Sequence, residues 1–344
     1  MYLTPLGPGG SVRMGIQRRI DATRACLQES AMGKFAVYID GNEGTTGLEL
    51  QRRLERHQCV GLLQIDPALR KDVSERRRLI NSADVVFLCL PDAAAVEAVS
   101  LVESGTVRVI DASTAHRVAP GWAYGFPELS AEHRARIARS RRISNPGCHA
   151  TGFISIVYPL VALGIAGRDY PFTCHSITGY SGGGKRMIAQ YGDSGRPAGY
   201  DSPRQYALGL SHKHLPEMQS VTGISAPPVF NPIVCDFYSG MAVSVPLHAA
   251  FLARRITLDD LREAFAQYYA DQTLISVHAD SPDDDGTIAA NELSGACQLR
   301  LYVVGNDDQM TIVSVFDNLG KGASGAAVQN MNICLGLDEL TSLM

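Results

Sequence analysis

The 344-residue sequence lacks the features that mark several broad classes of protein. Its 31 basic residues do not outnumber its 35 acidic ones, so nothing indicates a basic surface for nucleic acid. The longest apolar runs, such as 153–165, are too short to span a membrane and are typical of a core helix. Eight cysteines are scattered singly without a Cys-x-x-Cys pair, which argues against a disulfide framework or a zinc site. We therefore expect a cytoplasmic protein with no metal, nucleic-acid or membrane partner.

The remaining composition is that of an ordinary globular chain, with 45% hydrophobic and 19% charged residues. Because 344 residues exceed what one hydrophobic core usually serves, we expect two domains. Residues 1–33 have room for one short helix over 17–29 and lack the apolar stretch of a secretory signal. We treat them as an N-terminal extension, and Met32 is an equally good start.

The first organised unit is a strand, a glycine-rich turn and a helix. The run FAVYID at 35–40 predicts a buried strand, and 48–57 has a helical pattern. The glycines between them let backbone N–H groups approach a pyrophosphate at the start of the helix, as in a dinucleotide-binding fold. Their G-x-x-G-x-x-G spacing differs from G-x-G-x-x-G, so a plain turn is the alternative. The turn residues assigned to the cofactor are Gly41, Gly44, Thr45, Thr46 and Gly47.

The alternation of strands and helices continues to residue 111. Apolar runs predict strands at 62–65, 85–90 and 107–111, and helical patterns lie at 73–81 and 93–104. Repeated strand–helix–strand units imply a parallel sheet with helices on both faces. The first domain is therefore expected to be an α/β Rossmann domain.

Two signals conflict over the choice between NAD and NADP. Asp66 lies at the end of the second predicted strand, where an acid usually holds a ribose 2′-hydroxyl and favours NAD. Arg70 and Lys71 follow closely and are suited to a 2′-phosphate. These residues alone leave the choice open.

The segment DASTAHR at 111–117 follows the fourth predicted strand. Ligands in open α/β sheets bind at the carboxyl ends of the strands, where this segment lies. Arg117 is able to clamp a carboxylate or a phosphate through two hydrogen bonds. A solvated loop arginine is the alternative.

The central stretch of the sequence is SNPGCHATG at 144–152. Pro146 and Gly147 predict a tight turn, and the apolar run that follows predicts a buried helix, so Cys148 is expected at or near the helix N-terminus. Unpaired N–H groups and the helix dipole lower a thiol pKa there and favour a nucleophilic thiolate. A buried structural cysteine is the alternative.

The second half of the chain has a different pattern. GYSGGGK at 179–185 lacks the spacing of an ATP-binding loop and indicates a flexible active-site loop or a linker. His212 and His214 are candidates for a general base, a metal pair or surface residues. Strands are predicted at 241–247, 298–304 and 310–316. A hairpin turn joins the last two, so we expect an α+β domain with a largely antiparallel sheet.

Seven segments together resemble one family. They are IDGNEGTTG (39–47), DASTAHR (111–117), YGFPE (124–128), SNPGCHATG (144–152), GYSGGGK (179–185), HKHLPEM (212–218) and DNLGKGASGAAVQNMN (317–332). In this order, from 35 to the C-terminus, they resemble the shorter form of the N-acetyl-γ-glutamyl-phosphate reductases of arginine biosynthesis. The resemblance implies a relative of the aspartate-semialdehyde and glyceraldehyde-phosphate dehydrogenases that uses NADPH.

The resemblance also implies two domains with different roles. A Rossmann domain over 34–147 and 318–344 is expected to bind NADP. An α+β domain over 148–317 is expected to carry the base and the contacts of a homo-oligomer, either a dimer or a tetramer.

Further roles follow from the same resemblance. The Cys148 thiolate attacks the acyl phosphate to form a thioester, which hydride reduces to the semialdehyde with release of phosphate. His214 moves the proton and His212 binds substrate or phosphate, although the two can exchange roles. His149 is expected to point elsewhere. The Cys148 N–H and a neighbouring backbone N–H hold the developing oxyanion, aided by the Asn145 side chain.

The other residues that the resemblance assigns bind the substrate or the cofactor. The substrate residues are Arg117, Ser113, Tyr180 and Lys185. Asn318 anchors the nicotinamide carboxamide, with Lys321 and Gly322 nearby. The remaining cofactor residues are Asp66, Arg70 and Lys71 with the turn at 41–47.

Three other functions are compatible with parts of this pattern. An aspartate-semialdehyde dehydrogenase or another acyl-phosphate reductase would share both domains. A non-catalytic regulator that senses NADP would make Cys148 incidental. A cysteine hydrolase would not need glycines between a strand and a helix.

Replacing Cys148 by serine should abolish phosphate-dependent oxidation of the semialdehyde, because the thioester cannot form without the thiol. NADP binding should persist, since the glycine-rich turn lies elsewhere in the sequence. Steady-state assays and titration with NADPH measure the two properties. Turnover by the variant would show that the covalent mechanism is wrong.

Overall fold

The computed structural model describes residues 34–279 and 286–344. The expected N-terminal extension over 1–33 lies outside the described residues. Within them the chain forms two sheets, of six and seven strands. No described helix is long and apolar enough to cross a membrane.

The six-stranded sheet is parallel throughout, in the order β2-β1-β3-β4-β6-β5. Its strands are β1 (Phe35–Asp40), β2 (Val60–Leu63), β3 (Val85–Leu88), β4 (Arg108–Asp111), β5 (Ala123–Tyr124) and β6 (Arg142–Ser144). All four residues of β3 are buried, as expected for a strand covered on both faces. The predicted Rossmann sheet is confirmed.

Helices cover both faces of this sheet. They are α1 (Thr45–Glu55), α2 (Val73–Ser82), α3 (Asp92–Ser100) and α4 (Ala131–Arg139). One apolar cluster contains Leu50 and Leu54 of α1, and another contains Leu79 and Ile80 of α2. Each cluster buries one face of the sheet, which is the main stabilising term of such a layer.

The seven-stranded sheet has the order β11-β12-β13-β10-β7-β9-β8. Its strands are β7 (Thr173–Gly179), β8 (Arg204–Gln205), β9 (Val229–Cys235), β10 (Met241–His248), β11 (Ile275–His278), β12 (Leu299–Gly305) and β13 (Gln309–Phe316). Two of its six pairings are parallel, β7 with β9 and β11 with β12, and the rest are antiparallel. The prediction of a largely antiparallel sheet is confirmed.

The helices of the second half are α5 (Cys148–Ala162), α6 (Gly184–Gly192), α7 (Leu215–Thr222) and α8 (Leu258–Tyr268). Helix α5 packs on β10 and β13, and α7 packs on α5. A Cβ atom at Gly152 of α5 would come within 2.6 Å of Cβ of Val243 in β10, so only glycine permits this approach. Because α5 follows β6 directly, its first turn lies where the two sheets meet.

The C-terminal segment returns to the first sheet. A π-helical turn over Gly320–Ser324 leads into α9 (Gly325–Leu335), whose Val328 and Met331 join the apolar cluster of α1. Helix α9 ends at Leu335 because Gly336 takes the left-handed conformation with φ 74°.

Candidate active site

A cavity of about 500 Å³ lies between the two sheets and collects most of the predicted site. It is lined by the turn before α1, the start of α5, the loop before α7 and the segment after β13. Its chemically relevant lining residues are Gly44, Thr45, Thr46, Gly47, Arg117, Asn145, Cys148, His149, His212, Lys213, His214, Asn318 and Gly322. The tertiary structure therefore brings together residues that are far apart in the sequence.

Cys148 is the first residue of α5, as the sequence predicted. Gly147 is the N-cap and offers no side-chain cap, so the N–H groups of the first turn have no partner within the helix. Burial nevertheless raises the pKa of the Cys148 thiol, although Arg117 and the His149 N–H act in the opposite direction. The predicted lowering of this pKa is wrong for this structure because desolvation of the thiolate outweighs the helix terminus.

His214 lies against the residue that precedes Cys148. A Cβ atom at Gly147 would come within 2.5 Å of His214 Nε2 and closer still to Arg117 Nη1. The other ring nitrogen, Nδ1, is buried without a hydrogen-bond partner in the described residues. Nε2 therefore faces the start of α5, and glycine at 147 is what leaves room for it.

His212 supports the loop that carries His214. Its Nδ1 accepts a hydrogen bond of 3.2 Å from the backbone N–H of His214, and the two rings meet edge to face at 4.7 Å. Burial, and then the charge of Lys213, lowers the pKa of His212 to about 4. Burial and the neighbouring Arg117 hold the pKa of His214 well below its ordinary value. Both imidazoles are neutral at pH 7.

His149 lines the same cavity, but both of its ring nitrogens have hydrogen-bond partners within the protein. Nδ1 lies 2.7 Å from Ser176 Oγ, and Nε2 lies 2.7 Å from the hydroxyl of Tyr206. Burial lowers its pKa to about 3. The ring is thus a neutral structural element beside the cavity.

Glu217 is a central residue that the sequence reasoning did not assign. Its buried carboxylate accepts hydrogen bonds from Arg117 Nη1 at 3.0 Å, from the Tyr124 hydroxyl at 2.8 Å and from the Gly147 N–H at 2.8 Å. Glu217 lies in the first turn of α7, directly after His214. Its place in the run HKHLPEM was the available signal.

Arg117 lines the cavity and is held from two sides. Nη1 pairs with Glu217, Nη2 donates to the Ala112 carbonyl at 3.1 Å, and Nε is buried without a hydrogen-bond partner in the described residues. Its guanidinium is therefore fixed in place and keeps one buried donor. An anionic group of a substrate is the natural partner for such a donor.

Asn145 lines the cavity, but its amide is engaged by the protein. Nδ2 donates to the Ala323 carbonyl at 3.0 Å, and Oδ1 accepts from Asn330 Nδ2 at 3.3 Å. The side chain thus ties the turn before α5 to the C-terminal segment. The oxyanion role expected for Asn145 stays a prediction, since the bond to Ala323 uses one of the two N–H donors of Nδ2.

Three predicted substrate residues lie outside the cavity lining. Ser113 Oγ donates to Asp111 at 2.7 Å inside the first domain. The ring of Tyr180 stacks on Tyr191 at 4.6 Å, and Lys185 is exposed on α6. Their predicted roles in substrate binding therefore stay predictions.

The turn before α1 fits a phosphate. Gly44 is the N-cap without a side-chain cap, so backbone N–H groups are available there. Thr45 Oγ1 is buried with no hydrogen-bond partner in the described part of the chain. Gly41, with φ 89°, permits the tight turn, since a Cβ there would lie 2.5 Å from the Cys89 carbonyl oxygen. A dinucleotide pyrophosphate would satisfy these donors.

The residues expected at the adenosine end lie on the surface. Asp66 is exposed and accepts from the Ala68 N–H at 2.9 Å, and Lys71 is also exposed. Arg70 pairs with Glu43, which belongs to the glycine-rich turn. The two cations therefore lie beside the turn that would hold the pyrophosphate.

The residues expected at the nicotinamide end differ in position. Asn318 lines the cavity, but both ends of its side-chain amide have partners in the protein. Its Oδ1 accepts a hydrogen bond from the Gly240 N–H, and its Nδ2 donates one to Ser181 Oγ. A Cβ at Gly322 would lie 2.9 Å from Cβ of Cys148, so this glycine keeps space beside the thiol. Lys321 is not part of the lining.

Lys321 is engaged inside the protein instead. Its ammonium pairs with the buried Glu128 at 2.6 Å and donates to Gln329 at 2.6 Å. Only 2% of the Lys321 side chain is exposed, so it has no route to a cofactor in this arrangement.

No group of three or more metal-ligating side chains occurs among residues 34–279 and 286–344. His212 and His214 have no third ligand there.

Comparison with known families defines the class. Residues 67–137 match the family described as semialdehyde dehydrogenase, NAD binding domain, and residues 148–318 match semialdehyde dehydrogenase, dimerisation domain. The fold is that of this class of dehydrogenase.

Full-length relatives refine the assignment. N-acetyl-gamma-glutamyl-phosphate reductase 2 of Nostoc sp. strain PCC 7120 is 44% identical over 318 residues, which are 90% of this chain and 99% of that protein. The N-acetyl-gamma-glutamyl-phosphate reductase of Rhizobium etli is 45% identical over 304 residues, covering 87% and 98%. The chain belongs to the N-acetyl-gamma-glutamyl-phosphate reductase family, as its motifs implied.

Solved structures share the fold at lower identity. Aspartate semialdehyde dehydrogenase from Francisella tularensis has a TM-score of 0.67 at 12% identity, covering 87% of this chain and 99% of that one. The Candida albicans enzyme, solved with NADP, has a TM-score of 0.61 at 14% identity, covering 88% and 98%. Both similarities concern the fold.

The buried neutral histidines should make the fold sensitive to acid. A histidine whose pKa is depressed on folding contributes stability that is present above about pH 6.5 and lost as the pH falls, because the unfolded chain then binds more protons. For His149, whose pKa falls to about 3, the loss at pH 5 amounts to roughly 2 kcal/mol. Urea unfolding at pH 7 and pH 5 gives the difference in the free energy of unfolding between the two pH values. In H149Q this difference should be smaller than in the wild type by roughly 2 kcal/mol.

The matched control is H248Q, which replaces an exposed histidine of β10. It should leave the wild-type difference between the two pH values unchanged. An H149Q variant with the full acid sensitivity of the wild type would contradict the argument.

Proposed function

We propose that the chain catalyses the NADPH-dependent reduction of N-acetyl-L-glutamyl 5-phosphate to N-acetyl-L-glutamate 5-semialdehyde and phosphate. The observation that carries this proposal is a single cavity that contains the Cys148 thiol, the His214 imidazole and a phosphate-binding turn. The full-length relatives carry the same activity in their names. Arginine biosynthesis in the cytoplasm is the matching role.

The first step is formation of the thioester. The Cys148 thiol is protonated at neutral pH because burial raises its pKa, so a base must take the proton as sulfur attacks the acyl carbon. His214 suits this role because it is neutral and its Nε2 faces the start of α5. His212 then supports the loop that carries His214 and does not act as the base.

The oxyanion needs donors that are already in place. The Cys148 N–H lies at the first turn of α5, where no carbonyl of the helix reaches it. Glu217 fixes the preceding N–H of Gly147, so the orientation of this first turn is set before substrate arrives. Such preorganisation is what makes a backbone donor effective in the transition state.

The cofactor site follows from the turn before α1. Gly44, Thr45, Thr46 and Gly47 would hold the pyrophosphate, and Arg70 and Lys71 would meet a 2′-phosphate. NADPH supplies, when bound, the hydride that reduces the thioester. We propose the boundaries 34–147 with 318–344 for this domain and 148–317 for the domain that carries the base.

The charge of the cavity favours an N-acylated substrate. Among the described residues, no aspartate or glutamate lines it, and its charged lining residues are Arg117 and Lys213. The free α-ammonium of aspartate semialdehyde would meet these cations without a carboxylate partner, whereas an N-acetyl group is neutral. This observation favours N-acetylglutamyl phosphate over the aspartyl analogue.

Phosphate- and NADP-dependent oxidation of N-acetylglutamate semialdehyde tests the proposal, with aspartate semialdehyde as the comparison. The ratio of kcat/KM should favour the N-acetylated aldehyde by at least about 100-fold, because the ammonium of the other is left unpaired. Formation of NADPH is the readout. Equal rates, or a preference for aspartate semialdehyde, would refute the assignment, and the absence of any turnover would favour a regulator.

We also propose that the chain forms a homo-oligomer through the outer face of the seven-stranded sheet. Ile177 of β7 and Val229 of β9 are 37% and 50% exposed there, and no described helix covers them. A second copy is the proposed occupant because the matched family domain over 148–318 is described as a dimerisation domain.

Light scattering should therefore give the mass of a dimer or a tetramer. Ile177→Asp places a charge in the proposed interface and should lower the mass towards that of the monomer. Val96→Asp, at a 53% exposed site on α3, is the control and should leave the mass unchanged. A monomeric wild type, or an unchanged mass in Ile177→Asp, would contradict this interface.

A further inference from the structure

The cavity between the two sheets has an uneven distribution of charge. In the part of the chain that the structure describes, its two cationic lining residues are Arg117 and Lys213, and no carboxylate lines it. Its cysteine and histidine side chains are neutral at pH 7, since burial raises the pKa of Cys148 and lowers the pKa of His149, His212 and His214. Any net charge that an incoming anion meets must therefore come from the two cations.

Arg117 contributes little net charge of its own. Its guanidinium is 3.0 Å from the carboxylate of Glu217, and the two side chains are 8% and 2% exposed. The pair is fixed and close to neutral as a unit. A dianion that approaches it meets directional donors but no excess positive charge.

Lys213 differs from Arg117 in both exposure and charge pairing. It is exposed, and within residues 34–279 and 286–344 it makes no ion pair or hydrogen bond. It lies between His212 and His214 in the sequence, immediately before α7. Lys213 is thus the uncompensated cation of the cavity.

The position of Lys213 is at the thiol end of the cavity. Its charge is felt by Cys148, His212 and His214, which surround the expected reaction centre. Besides the hydrogen bonds from Thr114, the charge of Lys213 also lowers the pKa of the Asp92 carboxylate at the start of α3. The group that it meets is therefore one attached to, or leaving from, the carbon that Cys148 attacks.

We propose that Lys213 binds the phosphate group of the acyl-phosphate substrate and the inorganic phosphate that the reaction releases. Phosphate carries more negative charge than the substrate carboxylate, so it gains most from an unpaired ammonium. The identity of the substrate rests on the proposed function. A phosphate site beside Cys148 does not.

The step that Lys213 assists converts the acyl phosphate, a mixed anhydride, into a thioester. The Cys148 Sγ–acyl carbon bond forms while the bond from that carbon to the phosphate oxygen breaks. The thiol proton passes to His214 and then to the departing phosphate, which leaves as hydrogen phosphate. No electrons are transferred in this step. The Lys213 ammonium stabilises the charge that develops on the leaving oxygen.

Kinetics in the oxidative direction test the assignment, because inorganic phosphate is then a substrate with its own KM. Lys213→Met should raise the KM for phosphate about 10- to 100-fold, the usual effect of losing a hydrogen bond to a charged group. The KM for the semialdehyde should stay within about twofold, and Lys213→Arg should restore most of the phosphate affinity.

The control for loss of one positive charge is Arg139→Met, whose side chain is 71% exposed on α4. It should leave both KM values unchanged. A rise in the semialdehyde KM alone would assign Lys213 to the substrate carboxylate and overturn the proposal. Unchanged KM values in Lys213→Met would overturn it as well.

A second measurement needs no turnover. Iodoacetamide labels Cys148 of the full chain, and added inorganic phosphate should slow labelling because a dianion nearby disfavours the thiolate. Potassium chloride at equal ionic strength should not slow it. The phosphate effect should be present in the wild type and in Arg139→Met and absent in Lys213→Met.

The two measurements separate failure of the site from failure of the function. If the semialdehyde is not oxidised but phosphate still slows labelling through Lys213, the phosphate site stands and the substrate is wrong. If phosphate has no effect on labelling of the wild type, or an equal effect on Lys213→Met, the site itself is refuted.

Discussion

The carboxylate of Glu217 is the interaction on which the arrangement of the site depends. It accepts hydrogen bonds from Arg117 and Tyr124 of the first half of the chain and from the Gly147 N–H at the start of α5. Glu217 itself lies on α7, one turn after His214. One buried group therefore fixes the base, the guanidinium and the cysteine helix relative to one another. A buried carboxylate is stable only when its oxygens accept several hydrogen bonds. Loss of any one of these bonds would cost free energy, and this cost maintains the geometry of the site.

The second constraint is the low polarity of the cavity. Burial keeps the thiol protonated and the three histidines neutral, and the charge of Arg117 is matched by Glu217. The site is therefore poised for proton transfer between neutral groups. A phosphate that enters changes this balance, because its negative charge disfavours a free thiolate and favours a protonated imidazole beside it. The thiol proton is therefore expected to move to the base only as sulfur attacks the acyl carbon.

Much of the fold could be predicted because its signals are local. The mostly apolar strand 35–40, the glycines that follow it and the turn Pro146-Gly147 before Cys148 each specify their own conformation. The seven-stranded sheet could be predicted only in outline, since its order depends on pairings between distant segments. For Cys148, position was predicted correctly and acidity was not. Desolvation depends on everything packed around the sulfur, which no local pattern reports.

Side-chain partners were the least predictable part of the site. Asn145, Asn318 and Lys321 carry the right groups in the family's motifs, yet the structure uses their polar atoms for internal hydrogen bonds. Glu217 and Lys213 belong to the same motif as the two histidines. Only the folded structure shows that Glu217 is buried, where it connects α7 to Arg117 and Gly147, and that Lys213 lines the cavity.

The sequence by itself determined the two kinds of sheet, the helix start at Cys148 and the family, because periodicity, turn residues and ordered motifs are written along the chain. The tertiary structure decided which charges are paired, which donors remain available and how acidic the thiol is. These properties depend on distance and burial between segments far apart in sequence, and the chain acquires them only when the two sheets meet.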